Sequence, residues 1–283
     1  MISISRAKKL KLKDYFLKRE EVVFAFLFGS QVRGFRMRES DVDMAVYFKP
    51  EKGLEYETKR DYPCEDQIHF DLVKLLETDN VDLVVLNRAN PVLVSSVLDY
   101  GVPLVIKDES LFWEFYILIS REAQDFYEFV EDYWKIYQQA NSLVPQQRVR
   151  LLERTQYLEI ELKEVSIFKN LTFETYKADK FQRRNIERWV ENIANATIDI
   201  AKIILASEKK QMPKSYKEAL VDFGLFFGLK EKEARKFCQI AALRNILAHQ
   251  YLEILYELIR DFLVNILPLY EKLMVFLKSY IKG

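Results

Sequence analysis

Three carboxylates and one glycine–serine turn are the residues of this chain whose types and spacing could do chemistry. Gly29-Ser30 closes the apolar run Val22 to Phe28, Asp41 and Asp43 follow a ten-residue gap, and Asp82 interrupts a second apolar run, Val81 to Leu86. Glycine lets a backbone approach a phosphate closely. The serine hydroxyl and the turn amides offer donors to phosphate oxygens. Carboxylates hold hard cations such as Mg²⁺. Residues two apart on a strand share a face, so Asp41 and Asp43 project together and Asp82 on a neighbouring strand can join them. Three converging negative charges repel one another and are tolerated only with cations among them. Two Mg²⁺ ions in that cluster would clamp a nucleoside triphosphate, with Asp82 acting as general base or holding the metal on the nucleophile side. Taken singly, Asp-x-Asp usually marks a solvated strand end and Gly-Ser a plain turn. Their joint spacing, with Asp82 in an apolar run where a lone charge is costly, favours the catalytic reading. Arg33, Arg36 and Arg38 lie in the gap, where one can reach a triphosphate and a solvated loop is an equal reading for the last two.

A second constellation lies far downstream. The chain has two histidines. His69 sits in a helical pattern and reads as a surface or half-buried residue. His249 belongs to Leu243-Arg244-Asn245-Ile246-Leu247-Ala248-His249-Gln250-Tyr251, where an arginine and a histidine in apolar company must find partners. Histidine titrates near neutrality and arginine grips phosphate bidentately. Together they suit metal-free RNA cleavage through attack of the ribose 2′-hydroxyl. Residues five apart lie about 140° apart around a helix, so Arg244 and His249 do not share a face. Either the helix breaks near His249, or two copies of the element meet in a dimer, which is the favoured expectation. A purely structural pairing inside a helical bundle is the competing reading.

These residues need elements to position them. Up to about residue 110 the pattern alternates: helix at Lys8 to Glu20, strand at Val22 to Phe28, a short helix at Gln31 to Met37, strand at Asp41 to Phe48, helix at Ile68 to Leu76, strand at Val81 to Leu86, helix at Pro91 to Asp99 and strand at Val102 to Ile106. That mixture predicts an α/β (α+β) domain with a small mixed sheet. Beyond Ser110 strand signals vanish. Leu111 to Gln139, Arg148 to Phe168, Lys180 to Glu208, Ser215 to Phe227, Lys230 to about His249 and Leu252 to the end all read as helices, which predicts an all-α bundle. The expected domains are 1–140, with 110–140 a connecting helix, and 148–283, with the linker near 140–147 where Pro145 breaks the pattern.

Composition bounds the rest. The chain has 283 residues, 43 Lys+Arg and 43 Asp+Glu, so no global field advertises nucleic acid or DNA specificity, and an RNA site must be local. Lys169, Lys177, Lys180, Arg183, Arg184 and Arg188 form such a stretch against Glu174, Asp179 and Glu187, although a solvated helix face is the plainer reading. Arg184 and Arg188, four apart, could face one groove. The two cysteines, Cys64 and Cys238, imply no disulfide framework. No secretory signal is read at the start, and charges with Pro268 interrupt the apolar stretch Ile254 to Leu277. A cytoplasmic protein without a membrane span is therefore expected.

Gly29-Ser30-Gln31-Val32-Arg33-Gly34 followed by Ser40-Asp41-Val42-Asp43-Met44 resembles the motif of the minimal nucleotidyltransferases of the polymerase-beta-like superfamily, over roughly residues 1–138. Val32 and Met44 replace the usual Ala and Leu, conservative changes. The resemblance implies transfer of AMP from ATP to a hydroxyl, with Gly29, Ser30, Arg33 and Ser40 around the nucleotide and Asp41, Asp43 and Asp82 as catalytic metal ligands. Over about 148–283 the chain resembles HEPN domains of the HepT-like kind found in HEPN/MNT toxin–antitoxin pairs. The strings that carry this likeness are Arg244 to Tyr251, Phe173-Glu174-Thr175-Tyr176, Arg183 to Arg188, Asp199-Ile200-Ala201 and Met212 to Tyr216. That resemblance implies a homodimeric ribonuclease with Arg244 and His249 as the nuclease pair, silenced by adenylylation of Tyr251. Fusion of both partners in one chain departs from the pattern. Two rivals share the first motif: a small-molecule, aminoglycoside-type nucleotidyltransferase whose helical half binds the acceptor, which an acidic acceptor cleft would favour, and a non-catalytic nucleotide sensor.

Overall fold

A computed structural model of the chain describes residues 5–29, 41–51, 53–58, 60–139, 143–168, 170–246 and 252–282. By internal packing the chain divides into two compact units, Met1–Gln124 and Asp125–Gly283.

The first unit is built on a four-stranded sheet of order β3-β2-β1-β4, with β1 at Val22–Phe28, β2 at Val42–Phe48, β3 at Val81–Val85 and β4 at Val102–Ile106. β1 runs antiparallel to β2 and β4, and β2 runs parallel to β3, so the sheet is mixed, as expected. Helix α1 (Arg6–Leu17) precedes β1, α2 (Glu65–Leu76) joins β2 to β3 and α3 (Pro91–Tyr100) joins β3 to β4. One sheet face packs Val42, Met44, Val46 and Phe48 against Leu12 and Phe16 of α1 and Ile68, Leu72 and Leu76 of α2. A bulge between Val22 and Phe24 gives β1 one residue more than β2 there. It brings Val22 into the same cluster as Ala25 and Leu27 despite its opposite parity. On the other face Phe24 stacks on Tyr47 at 4.4 Å, and both meet Phe115 near the start of α4 (Glu109–Tyr137). Beyond β3 the fully buried Asn87 accepts from the Phe48 amide at 2.8 Å and donates to the Phe48 carbonyl at 3.0 Å, prolonging the ladder by side chain.

The second unit is helical throughout its described residues. After α4 come α5 (Pro145–Lys163), α6 (Val165–Phe168), α7 (Phe173–Ala178), α8 (Lys180–Ser207), α9 (Tyr216–Phe226), α10 (Glu231–Phe237), α11 (Gln239–Ile246), α12 (Leu252–Asp261) and α13 (Leu269–Lys282). The 28-residue α8 is the central post, capped by the Asp179 carboxylate and almost wholly buried from Ile193 onward. In its core the Thr197 hydroxyl donates to the Ile193 carbonyl at 2.7 Å and also shares a 2.8 Å hydrogen bond with the Tyr270 hydroxyl, so a buried polar pair is satisfied internally.

Three expected helices are subdivided. Residues 148–168 turn at Glu164, and the helix expected from Lys230 breaks at Cys238. The last one passes through a π-helical turn, Phe262–Ile266, ahead of Pro268. Proline has no amide hydrogen to continue the ladder, and Leu267 instead donates five residues back to Phe262 at 2.9 Å. The short helix expected at Gln31 to Met37 lies outside the described residues. Among the described residues no helix is long and apolar enough to cross a membrane.

Candidate active sites

In the first unit, strand register does the assembling. Asp43 is the pairing partner of Phe28 on β1 and of Asp82 on β3, so the two carboxyl-bearing residues sit side by side on adjacent strands. Gly29 follows Phe28 with φ +78°, a conformation that L side chains rarely adopt. A Cβ there would fall 1.8 Å from Asp43 Oδ2 and 2.6 Å from its Cγ. The glycine is therefore required twice, for its backbone angle and for the space the Asp43 carboxylate fills. β3 is held where Asp82 needs it: the Val42 amide donates to the Asn80 carbonyl at 2.9 Å, and His69 Nε2 lies 2.9 Å from the Val81 carbonyl. His69 is otherwise exposed, as a surface residue should be, but its anchoring of β3 was not legible from its helical spacing.

Asp82 proves to be exposed, because β3 is the edge of the described sheet and its apolar run is covered on one side only. The cost of a buried charge thus does not apply to it. Asp41 is exposed just ahead of β2. Among the described residues no group of three or more His, Cys, Asp and Glu side chains stands ready to hold a metal ion, so Asp43 and Asp82 are a neighbouring pair rather than part of a closed cluster. Hard carboxylate oxygens beside a side-chain-free backbone notch fit Mg²⁺. Ser30, Arg33 and Ser40 lie outside the described residues.

In the second unit Arg244, on α11, is gripped from three elements. Its Nε donates to Asn195 Oδ1 of α8 at 2.7 Å, a terminal nitrogen donates to Asp125 Oδ2 of α4 at 2.7 Å, and the guanidinium lies 5.1 Å from the centre of the Tyr216 ring of α9. The Tyr216 hydroxyl in turn donates to the Asp125 carbonyl at 2.9 Å. These residues line a cavity of ≈ 440 Å³ with Glu128, Asp132, Asp199 and Lys202, four carboxylates against two cations. Lys202 is buried and bridges Asp132 at 2.8 Å and Asp199 at 3.3 Å. Burial alone would raise the Asp132 carboxyl, but hydrogen bonds and charge from Arg150 and Lys202 outweigh it and hold the group below the usual carboxylate range. Sequence reading missed Asp125 and Asn195, which lie 119 and 49 residues from Arg244 with no local signal. Tyr216 lay in a string singled out above, without a role. His249 and Tyr251 lie outside the described residues.

Comparison with protein families matches residues 10–110 to the model described as Polymerase beta, Nucleotidyltransferase, and residues 154–276 to Ribonuclease HepT-like. The chain joins a nucleotidyltransferase domain to a HepT-like domain. The mixed sheet with Asp43 and Asp82 thus belongs to the nucleotidyltransferase domain, and Arg244 to the HepT-like domain. A solved structure described as "Crystal structure of the toxin-antitoxin with AMP-PNP" is 25% identical, covering 41% of this chain and 88% of that one at a TM-score of 0.33. No curated protein matches the chain.

Proposed function

We propose that the nucleotidyltransferase domain transfers AMP from ATP to a hydroxyl, that Tyr251 of the HepT-like domain is the acceptor, and that this modification silences a metal-independent ribonuclease carried by Arg244 and His249 in a homodimer, as in a toxin–antitoxin pair within one chain. The pairing of Asp43 with Asp82 in register, under the Gly29 notch, carries the reading. Asp41, Asp43 and Asp82 would hold Mg²⁺, which when bound neutralises charge on the triphosphate and on the departing pyrophosphate. The Gly29 turn, whose missing side chain makes room for the Asp43 carboxylate, would bring Ser30, Arg33 and Ser40 to the nucleotide phosphates. Asp82, solvent-exposed beside Asp43, would take the proton of the acceptor hydroxyl as its oxygen bonds to the α-phosphorus and pyrophosphate leaves. Arg244, held at the cavity by Asn195 and Asp125, would supply the guanidinium charge for a scissile phosphate.

Intact-mass measurement of the full chain after incubation with ATP and Mg²⁺ tests the first step. One AMP adduct on the wild type, absent in Asp43→Asn and in Tyr251→Phe, is expected. An adduct that persists in Asp43→Asn would sink the proposal. Light scattering on the same sample reads the dimer.

The acidic cavity favours a second reading, in which the helical half binds a cationic small-molecule acceptor. Transfer of labelled AMP to kanamycin with no adduct on the protein would replace the first reading with that one.

A further inference from the structure

One face of α8 stays open over its first turns, at Phe181, Arg184 and Arg188, and is half-covered farther in, where Asn192 donates to Glu161 and Asp199 pairs with Arg154, both of α5. Phe181, Arg184, Arg188, Asn192, Asn195 and Asp199 are all exposed or half-buried, spaced by three, four, four, three and four residues, while the positions between them sink progressively into the core. That spacing follows the 3.6-residue turn, so the six make one stripe along the helix. Its outer end carries a phenylalanine that is 85% exposed. Farther in it carries Asn195, which holds Arg244 at the cavity, and it ends at Asp199, whose charge is taken up by Arg154 and Lys202.

The chemistry changes along the stripe. Arg184 makes no hydrogen bond or ion pair among the described residues, and Arg188 has only Glu191, 3.0 Å away on the same helix, with the arginine 69% exposed. An exposed i,i+3 pair of this kind is held weakly and yields to a stronger anion. A flat aromatic in solvent followed by two available guanidinium groups is what a single-stranded nucleic acid needs: a ring for base stacking and cations for the backbone. By helical rise, Phe181 lies about 21 Å along the axis from Asn195, and Arg184 and Arg188 lie about 16 and 10 Å from it. Successive phosphates of an extended strand would therefore meet both arginines on the way to Arg244.

Resting on the reading of the HepT-like domain as a ribonuclease, we propose that this face of α8 is the track along which single-stranded RNA approaches Arg244, with Phe181 stacking a base and Arg184 and Arg188 each taking a phosphate. The basic stretch around residues 180–188 is thus not only a solvated helix face. Duplex RNA fits the track poorly, because its bases are already stacked.

Fluorescence anisotropy of the full chain with a labelled oligouridine 12-mer, titrated over a range of salt, tests the track. Phe181→Ala is expected to weaken binding about tenfold. Arg184→Gln and Arg188→Gln should each flatten the slope of log affinity against log salt by about 0.7, the signature of one lost single-strand phosphate contact. A base-paired competitor of equal length should displace the probe poorly. All three side chains project from the surface, so melting temperatures should stay at the wild-type value. Wild-type affinity and slope in all three variants, while Arg244→Ala loses binding, would overturn the track and leave the ribonuclease reading standing. Equal competition by duplex would also overturn it. No binding by the wild type even at low salt would overturn both.

Discussion

The two domains assemble their candidate sites by opposite means. In the nucleotidyltransferase domain the backbone does the work: strand register places Asp43 beside Asp82, and a left-handed glycine gives the carboxylate its space. In the HepT-like domain side chains do it, since Arg244 is fixed by a carboxylate, an amide and a ring from three helices far apart in sequence. A backbone-built site tolerates almost no change at its glycine but is indifferent to many side chains around it. A site built from side chains can be dismantled one contact at a time, and its parts carry charge that titrates.

The sharpest break in that contrast is expected at Gly29. Gly29→Ala should abolish nucleotidylation and cost about 1–3 kcal/mol of stability, from the strained backbone and the clash with Asp43. In an Asp43→Ala background the clash disappears, so chemical denaturation of the four-protein cycle should show a coupling of about 1 kcal/mol or more. Next in size, Arg244→Ala should destabilise the helical unit by about 1.5–3 kcal/mol by stranding its partners. Asp125→Asn should cost under about 1 kcal/mol, because Asp125 is 46% exposed and water screens the pair. Equal losses from both substitutions would contradict a graded side-chain network.

The acid limb of stability sharpens the comparison further. The Asp132 carboxyl is depressed in the fold, so its contribution is fully present above the unfolded-state value of about 4 and is lost as pH falls through the lower folded-state value. Thermal melts should show Asp132→Asn less stable than wild type from pH 5 to 8, with the gap closing below about pH 4. Asp222 is the inverse and smallest case. Burial first, and then the nearby Glu218, raise its carboxyl, so ionisation destabilises the fold as pH rises. Asp222→Asn should gain about 0.5 kcal/mol or less at pH 7 and nothing below about pH 4.

Much of this was legible before any coordinates. Continuous apolar runs marked β1 and β3, alternation marked β2, and the spacing of Asp41 and Asp43, with Asp82 on the next strand in sequence, predicted the Asp43–Asp82 neighbourhood that register delivers. The environment of Asp82 was misread, because an apolar run does not reveal whether its strand is central or at an edge. The Arg244 cradle was invisible for another reason: hydrogen bonds across 49 and 119 residues leave no periodic trace. Helix breaks at Glu164 and Cys238 lacked proline or glycine to announce them, whereas Pro268 did signal the irregularity that became a π turn.

The place of Asp82 has one more consequence. An outermost strand with unpaired backbone groups invites a second molecule to add on, and a charge at its middle is a common guard against such sheet-to-sheet growth. In Val81–Val85 the aspartate is the single charged side chain. Asp82→Val would therefore remove a gatekeeper along with a carboxylate, and such protein should self-associate where Asp43→Asn stays dispersed.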